Sequence, residues 1–185
     1  APKNYEDLLN PKWKGEMLMD DEPYEWYGVL MKHFGKERGL QYMKRLAQQN
    51  LSMQRGRTNV AQMLVAGEGA IGITLSGNSA LELKEKGAPL DWVALDPYFS
   101  QANMIMLARY APHPHAAALF LDWSLSEEGQ TIVTSFGRVV ARDGVKQRFP
   151  ELMQKKSRLV DMDLIDPKVE KVLTKEFREI FIPTR

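Results

Sequence analysis

Ala70-Ile71-Gly72-Ile73-Thr74-Leu75-Ser76-Gly77-Asn78-Ser79 passes from a short apolar run into a polar loop. The run predicts a strand over residues 70–74, and the loop leads into a helix over residues 80–86 that Gly87 ends. On the N-terminal side, Val60, Met63 and Leu64 mark a short helix closed by Gly67. Helix, strand, polar loop and helix in so short a span predict an α/β fold, with a sheet covered by helices.

The alternation continues outward. Upstream, Glu16-Met17-Leu18-Met19-Asp20 reads as a buried strand. Pro23 then suits the first turn of a helix, on which Trp26, Leu30 and Phe34 fall at helical spacing before Gly35. A second amphipathic helix spans residues 37–49, with Leu40, Met43 and Ala47 on one face. Met53-Gln54-Arg55-Gly56-Arg57-Thr58 is a polar loop ending in Thr58 as N-cap. Downstream, residues 91–95 and 104–107 read as strands. His113-Pro114-His115 opens a very apolar helix over residues 116–125, and Ser126 caps the next, with Glu127 and Glu128 near its positive end. Gly137 ends that helix. Two more are expected over residues 145–155 and 167–181, separated by the Asp-rich stretch 161–166. The boundary between domains is placed at residues 96–103.

Composition narrows the function. The 185 residues are 44% hydrophobic and 26% charged, a globular composition. Lys and Arg number 25 against 24 Asp and Glu, a net charge of +1, so there is no electrostatic footprint for nucleic acid. With no cysteine, thiolate zinc sites, disulfides and thiol nucleophiles are excluded. No apolar run reaches membrane-spanning length. The opening Ala1-Pro2-Lys3-Asn4-Tyr5 carries no signal-peptide core, as expected of a cytosolic chain or of one already cut.

Catalysis finds no support. No nucleophile elbow, P-loop or dinucleotide-binding glycine pattern is present. Gly67-Glu68-Gly69 lies between helix and strand, the reverse of the order a phosphate-binding turn needs. His113 and His115 flank Pro114 with no third ligand nearby in sequence, and His33 sits beside an apolar helix face. Asp20, Asp21 and Glu22 read more simply as a solvated acidic turn than as a hard-metal cluster. No metal site and no cofactor are expected. Binding has more to recommend it. Arg55 and Arg57 flank Gly56 just before Thr58, and two guanidiniums beside a helix N-terminus suit a carboxylate or phosphate. Ser76-Gly77-Asn78-Ser79 is a second polar loop entering a helix. The alternative is that both are ordinary helix entries with exposed arginines.

Several pieces together carry a resemblance: Asp7-Leu8-Leu9-Asn10-Pro11-Lys12-Trp13-Lys14-Gly15, Leu64-Val65-Ala66-Gly67-Glu68, Lys86-Gly87-Ala88-Pro89 and, most strongly, Ala111-Pro112-His113-Pro114-His115-Ala116-Ala117-Ala118-Leu119-Phe120. Asp122-Trp123, Leu125-Ser126-Glu127-Glu128-Gly129-Gln130, Gly137-Arg138 and Arg142 follow in order. In order and spacing the chain resembles the extracytoplasmic solute-binding proteins of ABC importers, in the cluster that includes the ferric-iron binders. The resemblance implies the type II periplasmic-binding-protein fold, two α/β lobes that close on a solute. Residues 1–98 would be the second lobe, complete. Residues 99–185 would be the returning strand and helices of the first lobe, whose N-terminal portion is missing, because a segment like 7–15 lies mid-chain in such proteins.

The resemblance also implies where a solute would bind. Arg55, Gly56, Arg57 and Thr58 match one cleft loop, Thr74, Ser76, Gly77 and Asn78 match another, and Tyr98 sits at the crossing between lobes. The ferric binders use an adjacent tyrosine pair on the loop after the Gly-Glu turn. Here Thr74-Leu75-Ser76-Gly77-Asn78 offers neutral oxygens and Tyr98 stands alone, a poor set for a hard cation. The expectation is therefore a periplasmic or extracytoplasmic binding component without catalysis. It would take a small polar or anionic solute, a carboxylate or oxyanion, and hand it to a membrane permease. The alternative is a shortened relative that acts as an oligomerisation or protein-interaction module, for instance as a homo-oligomer.

Overall fold

The computed structural model describes residues 1–140, 142–153 and 157–182. They form two compact units: Ala1–Ser100 with Ser157–Arg185, and Gln101–Lys156.

In the first unit, strand β1 (Met17–Asp20) is followed by helices α1 (Tyr24–Phe34) and α2 (Lys36–Ala47). Strand β2 (Ser52–Gln54), helix α3 (Arg57–Val65), strand β3 (Ile71–Ile73) and helix α4 (Gly77–Glu85) come next. The sheet order is β2-β1-β3, all parallel, with Leu18 opposite Ser52 and Gly72, and Met19 opposite Met53 and Ile73. Parallel neighbours require crossovers, and the helices supply them. A central strand covered on both faces calls for an apolar run; Met17, Leu18 and Met19 supply it, and all four residues of β1, the closing Asp20 included, are buried.

The core around β1 contains Met17, Met19, Tyr27, Leu30, Tyr42, Met43, Leu46 and Ile73. On α2 the buried stripe is Gly39, Tyr42, Met43 and Leu46. It is rotated from the expected Leu40–Met43–Ala47 face because Gly39 lies where a Cβ would meet Met31 Sδ at 2.8 Å. The N-terminal segment is held down by Tyr5, which donates to the Pro97 carbonyl (3.1 Å) and whose own carbonyl accepts from the Tyr42 hydroxyl (2.9 Å).

The chain leaves this unit through strand β4 (Phe99–Ser100) and returns through β5 (Arg158–Leu159), which pair in parallel. Two further helices, α5 (Pro114–Ser124) and α6 (Glu127–Ser135), lie between them. After the return, α7 (Pro167–Phe181) packs on α1 and α2. Phe177 is fully buried, stacked on Phe181 at 4.6 Å and edge-on to Tyr27 at 6.0 Å. Residues 157–182 lie in the same compact unit as residues 1–100, where the apolar face of α7 completes the core.

In the second unit, Ser126 caps α6 by accepting from the Gly129 N–H, and the Gln130 amide donates to the Ser124 carbonyl, so the α5–α6 turn is fixed. Yet α5 buries none of its residues. Leu119 is 72% exposed and Phe120 57%.

Three expected elements are absent, and one unexpected one is present. Residues 91–95 and 104–107 form no strand; an apolar run specifies burial, whereas a strand also needs a neighbouring ladder. Met106 is 78% exposed. The helix expected over 145–155 is reduced to a 3₁₀ turn, Pro150–Met153, because Pro150 cannot continue a helix in its interior; residues 154 and 155 lie outside the described set. β2, read as loop, is a polar edge strand with a neighbour on one side only.

Burial pushes the Tyr5 hydroxyl up to about 12, and burial with Glu176 nearby pushes Tyr27 to about 12; Tyr42 is raised further still. An unfolded tyrosine ionises near pH 10. The stability these groups contribute is therefore complete below pH 10 and is lost as pH rises through about 12. Urea midpoints are expected to hold from pH 7 to 9 and to fall steeply from 10 to 11, and Tyr27→Phe should flatten that fall.

Candidate functional site

The parallel sheet brings three strand ends to one edge. β1 ends at Asp20, β2 at Gln54 and β3 at Ile73, and α1, α3 and α4 begin within a few residues of them. Ligands of open α/β sheets bind outside this carboxyl edge. The first turn of each helix presents unpaired N–H groups and a partial charge of about +0.5.

Arg55 is exposed on the β2–α3 loop and makes no hydrogen bond or ion pair with another described residue. Gly56 has φ +85° and is the N-cap of α3, a backbone conformation that favours glycine. Its N–H donates to Asp20 Oδ1 at 3.2 Å. Arg57 is the first residue of α3, with Nε 3.5 Å from Asp20 Oδ2 and Nη2 3.3 Å from Glu25 Oε2. Thr58 is thus one residue inside the helix and is not its N-cap. Gly56 takes that place because only a residue at ease with positive φ can turn the chain from β2 into α3.

Ser76 is the N-cap of α4 without a side-chain cap bond, and Gly77 and Asn78 lie in the first turn, so this helix starts three residues earlier than expected. Thr74 is in the left-handed region at φ +68°, unusual for a β-branched residue. Its hydroxyl donates to the Ile73 carbonyl. Tyr98 is half-buried, 5.5 Å edge-on from Trp92, and burial raises its hydroxyl.

Two grooves open here. A cavity of about 340 Å³ between α3 and α4 is lined by Arg57, Thr58, Ser76 and Ser79, with Glu82 and Lys86 farther along α4. A wider one of about 770 Å³ is lined by Asp20, Asp21, Glu22 and Glu25 together with Arg55, Gly56, Arg57 and Arg178. Arg57 lines both. The structure therefore brings Arg57, Thr58 and Ser76 to one groove and Arg55, Gly56 and Arg57 to the other, while Thr74, Gly77, Asn78 and Tyr98 line neither.

The acidic turn is not simply solvated. Asp20 is only 9% exposed, and Glu22 pairs with Arg178 of α7 at 2.6 Å. Sequence reasoning missed Glu25, Lys86 and Arg178 as parts of this edge, and it took Asp20 only as part of a solvated acidic turn. A carboxylate closing an apolar strand run was a usable signal for Asp20; nothing local pointed to Arg178. His33 lies edge-on to Phe34, and His113 is the N-cap of α5. Among the described residues no group of three or more His, Asp or Glu could hold a metal ion, and no helix is long and apolar enough to cross a membrane.

Comparison with known proteins places the fold. A family model described as bacterial extracellular solute-binding protein matches residues 1–139. An uncharacterized protein of Haemophilus influenzae is 27% identical over 143 residues, which cover 74% of this chain and 41% of that protein. Among solved structures, the periplasmic binding protein P5PA superposes with a TM-score of 0.74 at 24% identity, covering 98% of this chain and 61% of its own. AfuA from Actinobacillus pleuropneumoniae, solved with exogenous fructose 6-phosphate bound, gives a TM-score of 0.77 at 24% identity over 98% and 60%. Apo ferric ion-binding protein A from Pasteurella haemolytica gives 0.73 at 16% over 97% and 62%. The chain therefore spans about 60% of the length of the solved structures it matches.

Removing Arg57 would take a cation away from the shielded Asp20 and Glu25 carboxylates. Because Arg57 is itself 41% exposed, water would screen part of the loss. Arg57→Ala is expected to destabilise by about 1 kcal/mol, read from urea denaturation, whereas Arg55→Ala should leave the midpoint unchanged.

Proposed function

Because this chain belongs to the bacterial extracellular solute-binding protein family, we propose that it captures a small polar solute carrying a phosphate or carboxylate group. The solute is handed unchanged to the membrane permease of an ABC importer, outside the cytoplasm. The observation that carries this reading is the groove between α3 and α4, where two helix N-termini meet the Arg57 guanidinium and the hydroxyls of Thr58, Ser76 and Ser79. Neither Gly56 nor Ser76 supplies a side-chain cap, so first-turn N–H groups remain available to an anion. Arg55, Gly56, Arg57 and Thr58 would form one side of the site, with Thr74, Ser76, Gly77, Asn78 and Tyr98 on the other.

The bound fructose 6-phosphate in AfuA supports a phosphorylated or similar solute over a metal. The loop of residues 74–78 argues the same way, since its side-chain oxygens are neutral and Fe(III) calls for anionic ones. A ligand that binds only the folded state stabilises it by roughly 2.7 kcal/mol when present at about 100 times its Kd. Thermal unfolding is therefore expected to move upward, saturably, with fructose 6-phosphate, inorganic phosphate or citrate, and not with fructose. Equal responses to fructose and its phosphate, or no response to any of the anions, would sink the reading.

The exposed apolar side chains of the second unit favour a second reading, a relative that works through protein contacts, for example as a homo-oligomer. Met106, Leu119 and Phe120 stand in water, and large exposed apolar patches mark interaction surfaces. Light scattering coupled to gel filtration separates the two. A defined oligomer that Leu119→Lys dissolves, together with silence towards all the anions, would favour the interaction module.

A further inference from the structure

Arg57 is held from behind. Its Nε faces Asp20 Oδ2 at 3.5 Å and its Nη2 faces Glu25 Oε2 at 3.3 Å, while Nη1 has no partner among the described residues. The two carboxylates come from different elements, Asp20 from the end of β1 and Glu25 from the first turn of α1. Their side chains are only 12% and 14% exposed, against 41% for Arg57. Asp20 also accepts from the Gly56 N–H at 3.2 Å, so one carboxylate fixes both the backbone and the side chain of the turn into α3. Two shielded anions gripping one cation along its Nε–Nη2 edge orient a planar guanidinium, which a single surface pair would leave free to rotate.

We propose that Asp20 and Glu25 are positioning residues that act through Arg57: they lock its guanidinium at the boundary between the two grooves and leave its Nη1 edge for an anionic group of the solute. The proposal rests on the anion-binding reading of the α3–α4 groove and adds residues and a division of labour to it. A mobile arginine would have to be ordered at each binding event, at a cost in side-chain entropy; the clamp orders it beforehand. The same two carboxylates would repel an anion that approached from the wider groove, so the α3–α4 side becomes the favoured seat for negative charge.

The test is a double-mutant cycle in the full chain, with fructose 6-phosphate and inorganic phosphate as probes in calorimetry. Asp20→Asn, which keeps shape and removes charge, is expected to weaken binding about tenfold. In an Arg57→Ala background the same substitution should change nothing further, as it must for a residue that acts only through Arg57. Glu25→Gln provides a second, independent variant should Asp20→Asn fail to fold. An equal loss with Arg57 absent would overturn the proposal, because Asp20 would then touch the solute itself; no loss in either background would also overturn it.

Side-chain NMR of ¹⁵N-labelled protein without ligand separates this from failure of the binding reading. If neither probe binds, a slowly exchanging Arg57 Nε–H signal that vanishes in Asp20→Asn still supports the clamp. A signal averaged with those of free arginines overturns it.

Discussion

Everything in the first unit is referred to the burial of β1 between two parallel neighbours. Met17, Leu18, Met19 and Asp20 are shielded on both faces and along both edges. This places α1 and α2 on the crossover to β2 and lines up the carboxyl ends of three strands. The last position of such a strand is the place where a buried apolar run gives way to chemistry. Asp20 occupies it, at a point where withdrawal from water costs several kcal/mol for an isolated charge. Arg57 and the Gly56 N–H offset that cost, so the residue that closes the central strand also organises the entry to α3.

The arrangement at this edge is one of balance rather than surplus. The wider groove mixes Asp20, Asp21, Glu22 and Glu25 with Arg55, Arg57 and Arg178. The narrower one has hydroxyls and two helix starts around Arg57. Charges so mixed set up no strong long-range field at this edge, in keeping with a net charge of +1 over the 185 residues. If this edge takes an anion as proposed, discrimination would fall to short-range geometry: the N–H groups of the two helix starts, and the direction in which a guanidinium is turned. Arg178 ties α7 to the same edge through Glu22, so the C-terminal helix joins the wall of the groove as well as closing the core beneath it.

Much of this order was legible in the residues themselves. The Met17–Asp20 and Ile71–Ile73 strands, α1, α6 and α7 all follow from apolar spacing, prolines and glycines, because those signals are local. β2 was not, since an edge strand with one neighbour can be polar, and Ser52-Met53-Gln54 has no pattern of its own. Residues 91–95 and 104–107 carried the apolar pattern but form no strand, because such a run specifies burial and not a ladder. At the site, Arg57 and the two helix entries could be picked out, whereas the Asp20–Arg57–Glu25 contact spans three elements and exists only once the sheet has formed. The Arg178–Glu22 pair is more distant still in sequence, and composition alone could not suggest it.

The return of α7 has a consequence for how the molecule is made. Phe177 closes a core begun by Tyr27, Leu30 and Tyr42, and the Tyr27 hydroxyl meets Glu176 across 149 positions of chain. A ribosome delivers the N-terminal sheet long before the residue that seals it. Until then the apolar faces of α1 and α2 stay uncovered, and contacts of such sequence separation slow closure further. Closure of this core therefore waits until residue 177 has been made. During that interval the nascent polypeptide is open to chaperones, to proteases and to any machinery that handles unfolded chains.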